Sequence, residues 1–334
     1  MALLSDVREI SKIAYGFMAS KALFAALHLD LFTRLAKSRR TLEELASELE
    51  IAPNRLQTLL TACTSLRLLG IEDGHYFNSP ASDAYLVAGA PADFAEYYRL
   101  QIDRQIYPLL MDLGRALRGE HTQSFYSISD DSEEAEQFSR AQHSGSLGPA
   151  HLLAKRLDLT GATRLLDVAG GSGAFSIALC RRHPQLHATI LDFPNMLKVA
   201  EQFVARERLD GRILYLPGNA LELQWPDAQD CVLVSYLMYA VSATDSARLF
   251  ELAFNSLRPG GQLVVHDFMV NDDYDGPPQA ALWMLHGLFS SPDAVCLTAG
   301  WLHQLATAAG FGECVASDLI PGITSVLVAR KPLK

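Results

Sequence analysis

The stretch Leu165–Leu179 reads LLDVAGGSGAFSIAL. An apolar run ends on Asp167. Gly170, Gly171 and Gly173 then leave the backbone bare just before a helical pattern begins. Bare backbone lets a ligand press on the main chain, and a helix start offers it free N–H groups. A tight turn with no ligand is the plain alternative. Asp192 closes the next apolar run, 19 residues beyond Gly173. An acid at that place accepts hydrogen bonds from ribose hydroxyls. A nicotinamide fingerprint needs a third glycine where Ser176 stands, and nothing in the loop demands a pyrophosphate. The spacing points to a ligand with a ribose.

These residues need a sheet that brings both turns to one edge. From about residue 160, short β-branched runs alternate with amphipathic stretches: 164–168, 188–193, 213–216, 231–236 and 262–268. Such alternation predicts a mostly parallel, doubly wound α/β sheet, whose ligands sit at the carboxyl ends of the strands. Cys314–Leu319 and Ile323–Arg330 are separated only by a turn at Pro321-Gly322, so these two strands must pair antiparallel. Upstream, residues 1–40 read as helical. Thr41 and Glu44 form a capping box, a helix break falls at 51–53, and a second helix runs from Asn54 to Leu69, stopped by Gly70. Asp73-Gly74 between short apolar runs predicts a hairpin. Helix, turn, helix, hairpin is the order of a winged helix. The expected organisation is an all-α/winged-helix domain at 1–95, a helical linker at 96–155 and the Rossmann-like domain at 156–334. Within the linker, Ser127–Gln137 reads as an acidic solvated loop and helix start.

Charge limits the partners. The net charge is −10, and residues 41–90 hold two basic against seven acidic side chains. Phosphate-neutralising contacts are missing from that count, so neither nucleic acid nor an anionic membrane is an expected partner. The apolar faces of the first domain call instead for packing within the chain or against a second copy. Five scattered cysteines without a Cys-x-x-Cys pair argue against structural zinc and a disulfide framework. No run reaches the roughly 20 uncharged residues of a membrane span, and Asp6, Arg8, Glu9 and Lys12 do not suit a signal peptide. The expected location is the cytoplasm. No His/Asp/Glu spacing marks a metal site, and Asp272, Asp273 and Asp275 read as a polar loop.

The segment Asp167-Val-Ala-Gly170-Gly171-Ser-Gly173 resembles the glycine motif of S-adenosylmethionine-dependent methyltransferases, and Asp192-Phe193-Pro194 resembles their ribose motif. Gly218-Asn219-Ala220 and Leu257–Gly261 are similar to their adenine loop and to the turn before their fifth strand. With the winged helix, the chain resembles the dimeric small-molecule O-methyltransferase family of plant phenolics and bacterial secondary metabolites. The resemblance implies a homodimer with S-adenosylmethionine as cofactor and a small-molecule acceptor. It places Asp167, Gly170, Gly171 and Gly173 along the cofactor, Asp192 on the ribose, Phe193, Asn219 and Ala220 at the adenine, and Ser235 near the methionine end. Two departures stand out. Ala169 occupies a frequent glycine position, where a methyl is tolerable if φ is negative. Asn219 replaces an aspartate, and its amide can still accept a hydrogen bond.

The same family usually removes the acceptor's proton with a histidine after strand four. Here Tyr239 holds that position in Met238-Tyr-Ala-Val-Ser, and Ala240 replaces the acidic neighbour. A phenol with a pKa of about 10 is a poor base near neutrality. His286, in the segment Gln279–Phe289 that lines the family's acceptor pocket, is the other candidate, beside Trp283, Met284 and Phe289. Met238 and His143 are further pocket candidates. His266 faces either the cleft or the surface, whereas His183, His187 and His303 read as surface or structural residues. A tyrosine with this histidine is similar to bacteriochlorophyllide C-20 methyltransferases, which methylate carbon. The reading is therefore O-methylation of a small aromatic or polyketide-like metabolite. Its rivals are carbon or nitrogen methylation, a non-methyl-transferring enzyme on the same fold, and a winged-helix regulator.

Overall fold

The structure, a computed structural model, describes residues 3–120, 132–291 and 293–334. The chain divides into two compact units, Met1–Gln105 and Ile106–Lys334. The first unit runs α1 (Val7–Ala14), α2 (Gly16–His28), α3 (Leu31–Lys37), α4 (Leu42–Leu49), α5 (Pro53–Ser65), β1 (Leu69–Glu72), β2 (His75–Asn78) and α6 (Pro80–Tyr85). The capping box starts α4: Glu44 N–H donates to Thr41 Oγ1 at 3.2 Å, and Thr41 N–H donates to the Glu44 carboxylate at 2.8 Å. Asp73 and Gly74 both take positive φ, the two-residue turn that suits a twisted hairpin. It sets Glu72 opposite His75 and Gly70 opposite Phe77.

The end of α5 differs from expectation. The helix stops at Ser65, and Arg67 takes the left-handed turn at φ 61°. Gly70 instead lies inside β1, where any side chain would meet the Phe77 ring. It serves as a strand residue against which an aromatic ring closes. The core of the unit gathers Leu31, Phe32, Leu45, Leu56, Leu60 and Tyr76. α1 contributes nothing buried, and Val7, Ile10, Ile13, Phe17 and Met18 are exposed. The span Val7–His28 is long and apolar enough to cross a membrane, although Arg8, Glu9, Lys12 and Lys21 interrupt it.

A π-helix, Tyr97–Ile106, leads along the chain to α7 (Tyr107–Leu110), α8 (Leu113–Ala116) and α9 (Ser132–Arg156). Of the acidic segment 127–137, residues 127–131 lie outside the described residues. α9 begins at Ser132 with Glu133 and Glu134 in its first turn, where carboxylates suit the helix dipole.

The second unit continues β3 (Arg164–Val168), α10 (Ala174–Arg182), β4 (His187–Asp192), α11 (Pro194–Arg206), β5 (Ile213–Pro217), β6 (Gln229–Ser235), α12 (Ala243–Ser256), β7 (Leu257–Asp267), α13 (Pro278–Ser290), α14 (Ala299–Ala308), β8 (Cys314–Ile320) and β9 (Thr324–Arg330). The sheet order is β5-β4-β3-β6-β7-β9-β8. β5 through β7 run parallel, and β9 is antiparallel to both neighbours. Leu257–Gly261, expected as a turn, is part of β7. Alternate strand residues feed two cores: Ile190, Leu233 and Val264 pack with α9–α11, while Leu191, Val232 and Val265 pack with α12 and α14. Burial on both faces explains the near-continuous apolar runs of these strands. The chain leaves β3 toward β4 on one side and β6 lies on the other, so a crevice opens at the carboxyl ends of β3 and β6.

Candidate active site

A cavity of about 450 Å³ occupies that crevice, a size suited to a small ligand. Asp167, Gly170 and Gly171 at and after the end of β3, Asp192 and Phe193 at and after the end of β4, Asn219 and Ala220 after β5, and Ser235 and Tyr239 at and after the end of β6 line it. Phe138, Ser139, Gln142 and Ser146 of α9 complete the lining.

The glycine turn is held by hydrogen bonds from both strands. Ala169 N–H donates to Leu191 O at 2.8 Å. Gly171 N–H donates to Asp192 Oδ2 and Phe193 N–H to Asp192 Oδ1, each at 2.7 Å. Burial pushes the Asp192 carboxyl up to about 6, while these two donors pull the other way. Asp167 is fully buried, and burial pushes it up to about 7. Ser176 Oγ donates to its Oδ2 at 2.6 Å, whereas its Oδ1 has no hydrogen-bond partner among the described residues. Gly170 has no room for a side chain, because a Cβ would stand 2.7 Å from Asp167 Cγ. Gly171, at φ 54°, has open space before it.

After β5, Asn219 stabilises its own turn. Its Oδ1 accepts from Leu221 N–H and its Nδ2 donates to Glu222 Oε1, both at 3.0 Å. Trp225 Nε1–H donates to Ala220 O at 2.8 Å. After β6, Met238–Ala240 form one buried 3₁₀ turn. The buried Asp267 carboxylate accepts from Met238 N–H (3.0 Å), Tyr239 N–H (3.4 Å) and Phe268 N–H (2.8 Å). Burial pushes its pKa up to about 7 against these bonds. From the other side α13 packs so closely that a Cβ on Gly287 would come 2.6 Å from the Tyr239 carbonyl oxygen. The His286 ring lies 5.6 Å from the Tyr239 ring, and burial lowers its pKa to about 4.

A family model of the O-methyltransferase domain matches residues 110–312, and one of the O-methyltransferase dimerisation domain matches residues 11–88. The chain belongs to the O-methyltransferase family. It is 30% identical over 284 residues to the 3-hydroxy-5-methyl-1-naphthoate 3-O-methyltransferase of Streptomyces sahachiroi, covering 84% of this chain and 82% of that one. It is 27% identical to the bacteriochlorophyllide d C-20 methyltransferase of Chlorobaculum tepidum, over 82% of each. Its fold is similar to human N-acetylserotonin methyltransferase solved with SAM: TM-score 0.89, 23% identity, 99% of this chain and 100% of that one.

Several expected pocket residues of this methyltransferase do not line the cavity. Gly173 caps α10 at φ 76°, and a Cβ there would meet Ile190 Cδ1 at 2.8 Å; it serves helix-to-strand packing. His143 sits one position round α9 from Gln142. Its Nδ1 shares a 3.0 Å hydrogen bond with Ser172 Oγ and its ring stacks on Phe203 at 3.6 Å. Burial lowers its pKa to about 4. Met238 belongs to the α12-side core, Trp283 stacks on Phe268 at 4.5 Å, Met284 Sδ accepts from Leu297 N–H, and Phe289 is buried. His286 likewise stands behind Tyr239. The face of α13 that carries these residues is spent on packing, and only Ser290 and Ser291 at its end reach the cavity.

Sequence reading missed Phe138, Gln142 and Ser146, which helical spacing of four could have grouped. It also missed Asp267, whose role lies in backbone contacts, and Tyr236, which lines the cavity at φ 55°. Ala169 also departs from expectation. Its φ is 54°, so the methyl sits in the left-handed region that a negative φ would have avoided. That conformation costs an alanine on the order of 1 kcal/mol. Ala169→Gly releases it, offset in part by the freer unfolded chain. The variant is expected to gain roughly 0.5 kcal/mol in urea unfolding; a loss instead would mean that the methyl packs favourably.

Proposed function

We propose that two copies of this chain form an S-adenosylmethionine-dependent methyltransferase that methylates an oxygen of a small aromatic or polyketide-like metabolite. The observation that carries the reading is a single cavity lined by Gly170, Gly171, Asp192 and Tyr239 together. The residues suit the cofactor. Gly171 leaves space for it, Asp192 can accept from ribose hydroxyls, and the buried Oδ1 of Asp167 has no hydrogen-bond partner among the described residues. Phe193, Asn219 and Ala220 would border the adenine and Ser235 the methionine end. S-adenosylmethionine supplies the activated methyl group; the protein supplies alignment and exclusion of water.

Of Tyr239 and His286, Tyr239 lines the cavity. Its phenol can donate to an acceptor or orient it. His286 supports it from behind. A base of pKa about 4 facing a phenol of about 10 works against a gap of roughly 8 kcal/mol, so His286 is assigned to positioning. That weak basicity favours a second reading: transfer to an amine nitrogen, whose lone pair attacks without prior ionisation, or to a ring carbon, the proton in either case leaving to water after the methyl has arrived. The relatives include an L-tyrosine C(3)-methyltransferase of Streptomyces lavendulae. The second copy would cover the exposed apolar face of α1 and α2, within the segment that matches the dimerisation model.

Calorimetry with S-adenosylhomocysteine tests the cofactor site. Asp192→Ala should weaken binding by about 1.5–3 kcal/mol, the range for hydrogen bonds to a charged group. Binding that needs the ionised Asp192 is half lost at about pH 6, nearly complete a unit above it and falls further as pH drops. Asp192→Asn should flatten that fall. Tight binding of NAD without S-adenosylhomocysteine would end the reading. With 3-hydroxy-5-methyl-1-naphthoate as probe acceptor and mass-spectrometric detection, Tyr239→Phe should slow turnover by about tenfold or more. His286→Leu should slow it without moving the pH profile between 6 and 9, because the imidazole is already neutral there. Full activity in both variants would show the pair to be misassigned. Ile13→Glu in α1 should shift sedimentation toward the monomer; an unchanged dimer would place the interface elsewhere.

A further inference from the structure

β6 and β7 are paired in parallel with Ser235 opposite His266, so both side chains leave the sheet on the same face at its ligand-binding edge. Ser235 Oγ and His266 Nδ1 are 2.9 Å apart. Ser235 lines the cavity, whereas His266 is wholly buried behind it, beside the rings of Phe175 and Tyr236. Burial lowers the imidazole to about 3, so it is neutral wherever the protein works.

A neutral imidazole carries one N–H, on either Nδ1 or Nε2. Nε2 of His266 is buried with no hydrogen-bond partner among the described residues. An orphan donor is rarer in native proteins than an under-satisfied acceptor. The proton therefore belongs on Nδ1, which donates to Ser235 Oγ. With its oxygen accepting from His266, the Ser235 hydroxyl is left to donate its own hydrogen, and Ser235 lines the cavity. The lining contains no lysine or arginine among the described residues, so an anion there is met by neutral donors.

We propose that His266 is a positioning residue that holds Ser235 as a hydrogen-bond donor to the carboxylate at the amino-acid end of the cofactor. The carboxylate accepts only and the ammonium beside it donates only, so a hydroxyl turned this way selects the former. The inference rests on the cofactor reading above.

The test compares S-adenosylhomocysteine with S-adenosyl-3-thiopropylamine, the same molecule without its carboxylate, by calorimetry. Ser235→Ala should weaken the first by about tenfold or more and change the second by less than about twofold. His266→Leu should reproduce that selective loss, and His266→Asn, whose amide can donate from the same place, should recover most of it. Equal losses on both ligands would mean that His266 is merely structural. Long-range nitrogen–proton NMR on the unsubstituted protein, which depends on no variant folding, should show Nδ1 protonated and Nε2 bare. The opposite tautomer overturns the proposal. Failure of the unsubstituted protein to bind S-adenosylhomocysteine would defeat the cofactor reading; binding without the selective loss would defeat only the role of His266.

Discussion

The carboxylate of Asp192 ties the ends of two neighbouring strands together, and the rest of the site follows from that tie. One oxygen takes the N–H of Gly171 and the other that of Phe193, each at 2.7 Å. For Gly171 to present its N–H, the chain after β3 must double back, which it does by placing Ala169, Gly171 and Gly173 at positive φ. Glycine adopts that conformation without a steric cost; Ala169 does not. The strain sits where the backbone lines the cavity, and cavities are a common location for it.

The interior that results disfavours charge of either sign. Burial raises Asp167, Asp192 and Asp267 and lowers His143, His266 and His286. A raised acid favours the folded chain at low pH, a contribution lost as pH climbs from the ordinary carboxylate range, about 4, to its folded value. A lowered histidine does the reverse. Its contribution is present above about 6.5 and lost as pH falls toward its folded value. The two sets oppose each other across mildly acid pH. Near neutrality the three imidazoles are uncharged, and His143 and His266 act as oriented hydrogen-bonding groups.

The two ends of the cavity are built by different means. At the cofactor end, side chains and main chain from consecutive β–α turns converge, as the parallel topology requires. At the Tyr239 end a single 3₁₀ turn is gripped from both sides, by Asp267 beneath its N–H groups and by Gly287 against its carbonyl. A one-methyl change at 287 would push against Tyr239 itself. The geometry of the Tyr239 ring thus depends on two residues that never touch the cavity.

Much of this was legible in the chain. Strand runs at 231–236 and 262–268 announced themselves because a central strand buried on both faces demands continuous apolar residues. The capping box at Thr41 and the Asp73-Gly74 turn are local chemistry, settled by neighbours three residues apart or fewer. The glycine turn and Asp192 were readable because topology alone brings the ends of adjacent parallel strands together. What the chain could not disclose depends on which way a helix is rotated. His143 and Gln142 are consecutive, yet one faces Ser172 and the other the cavity; Trp283 and Phe289 are spent on packing while Ser290 reaches the ligand space. The sign of φ at Ala169 and the partnership of Ser235 with His266 were likewise decided by tertiary structure, because they join residues that only the folded sheet sets side by side.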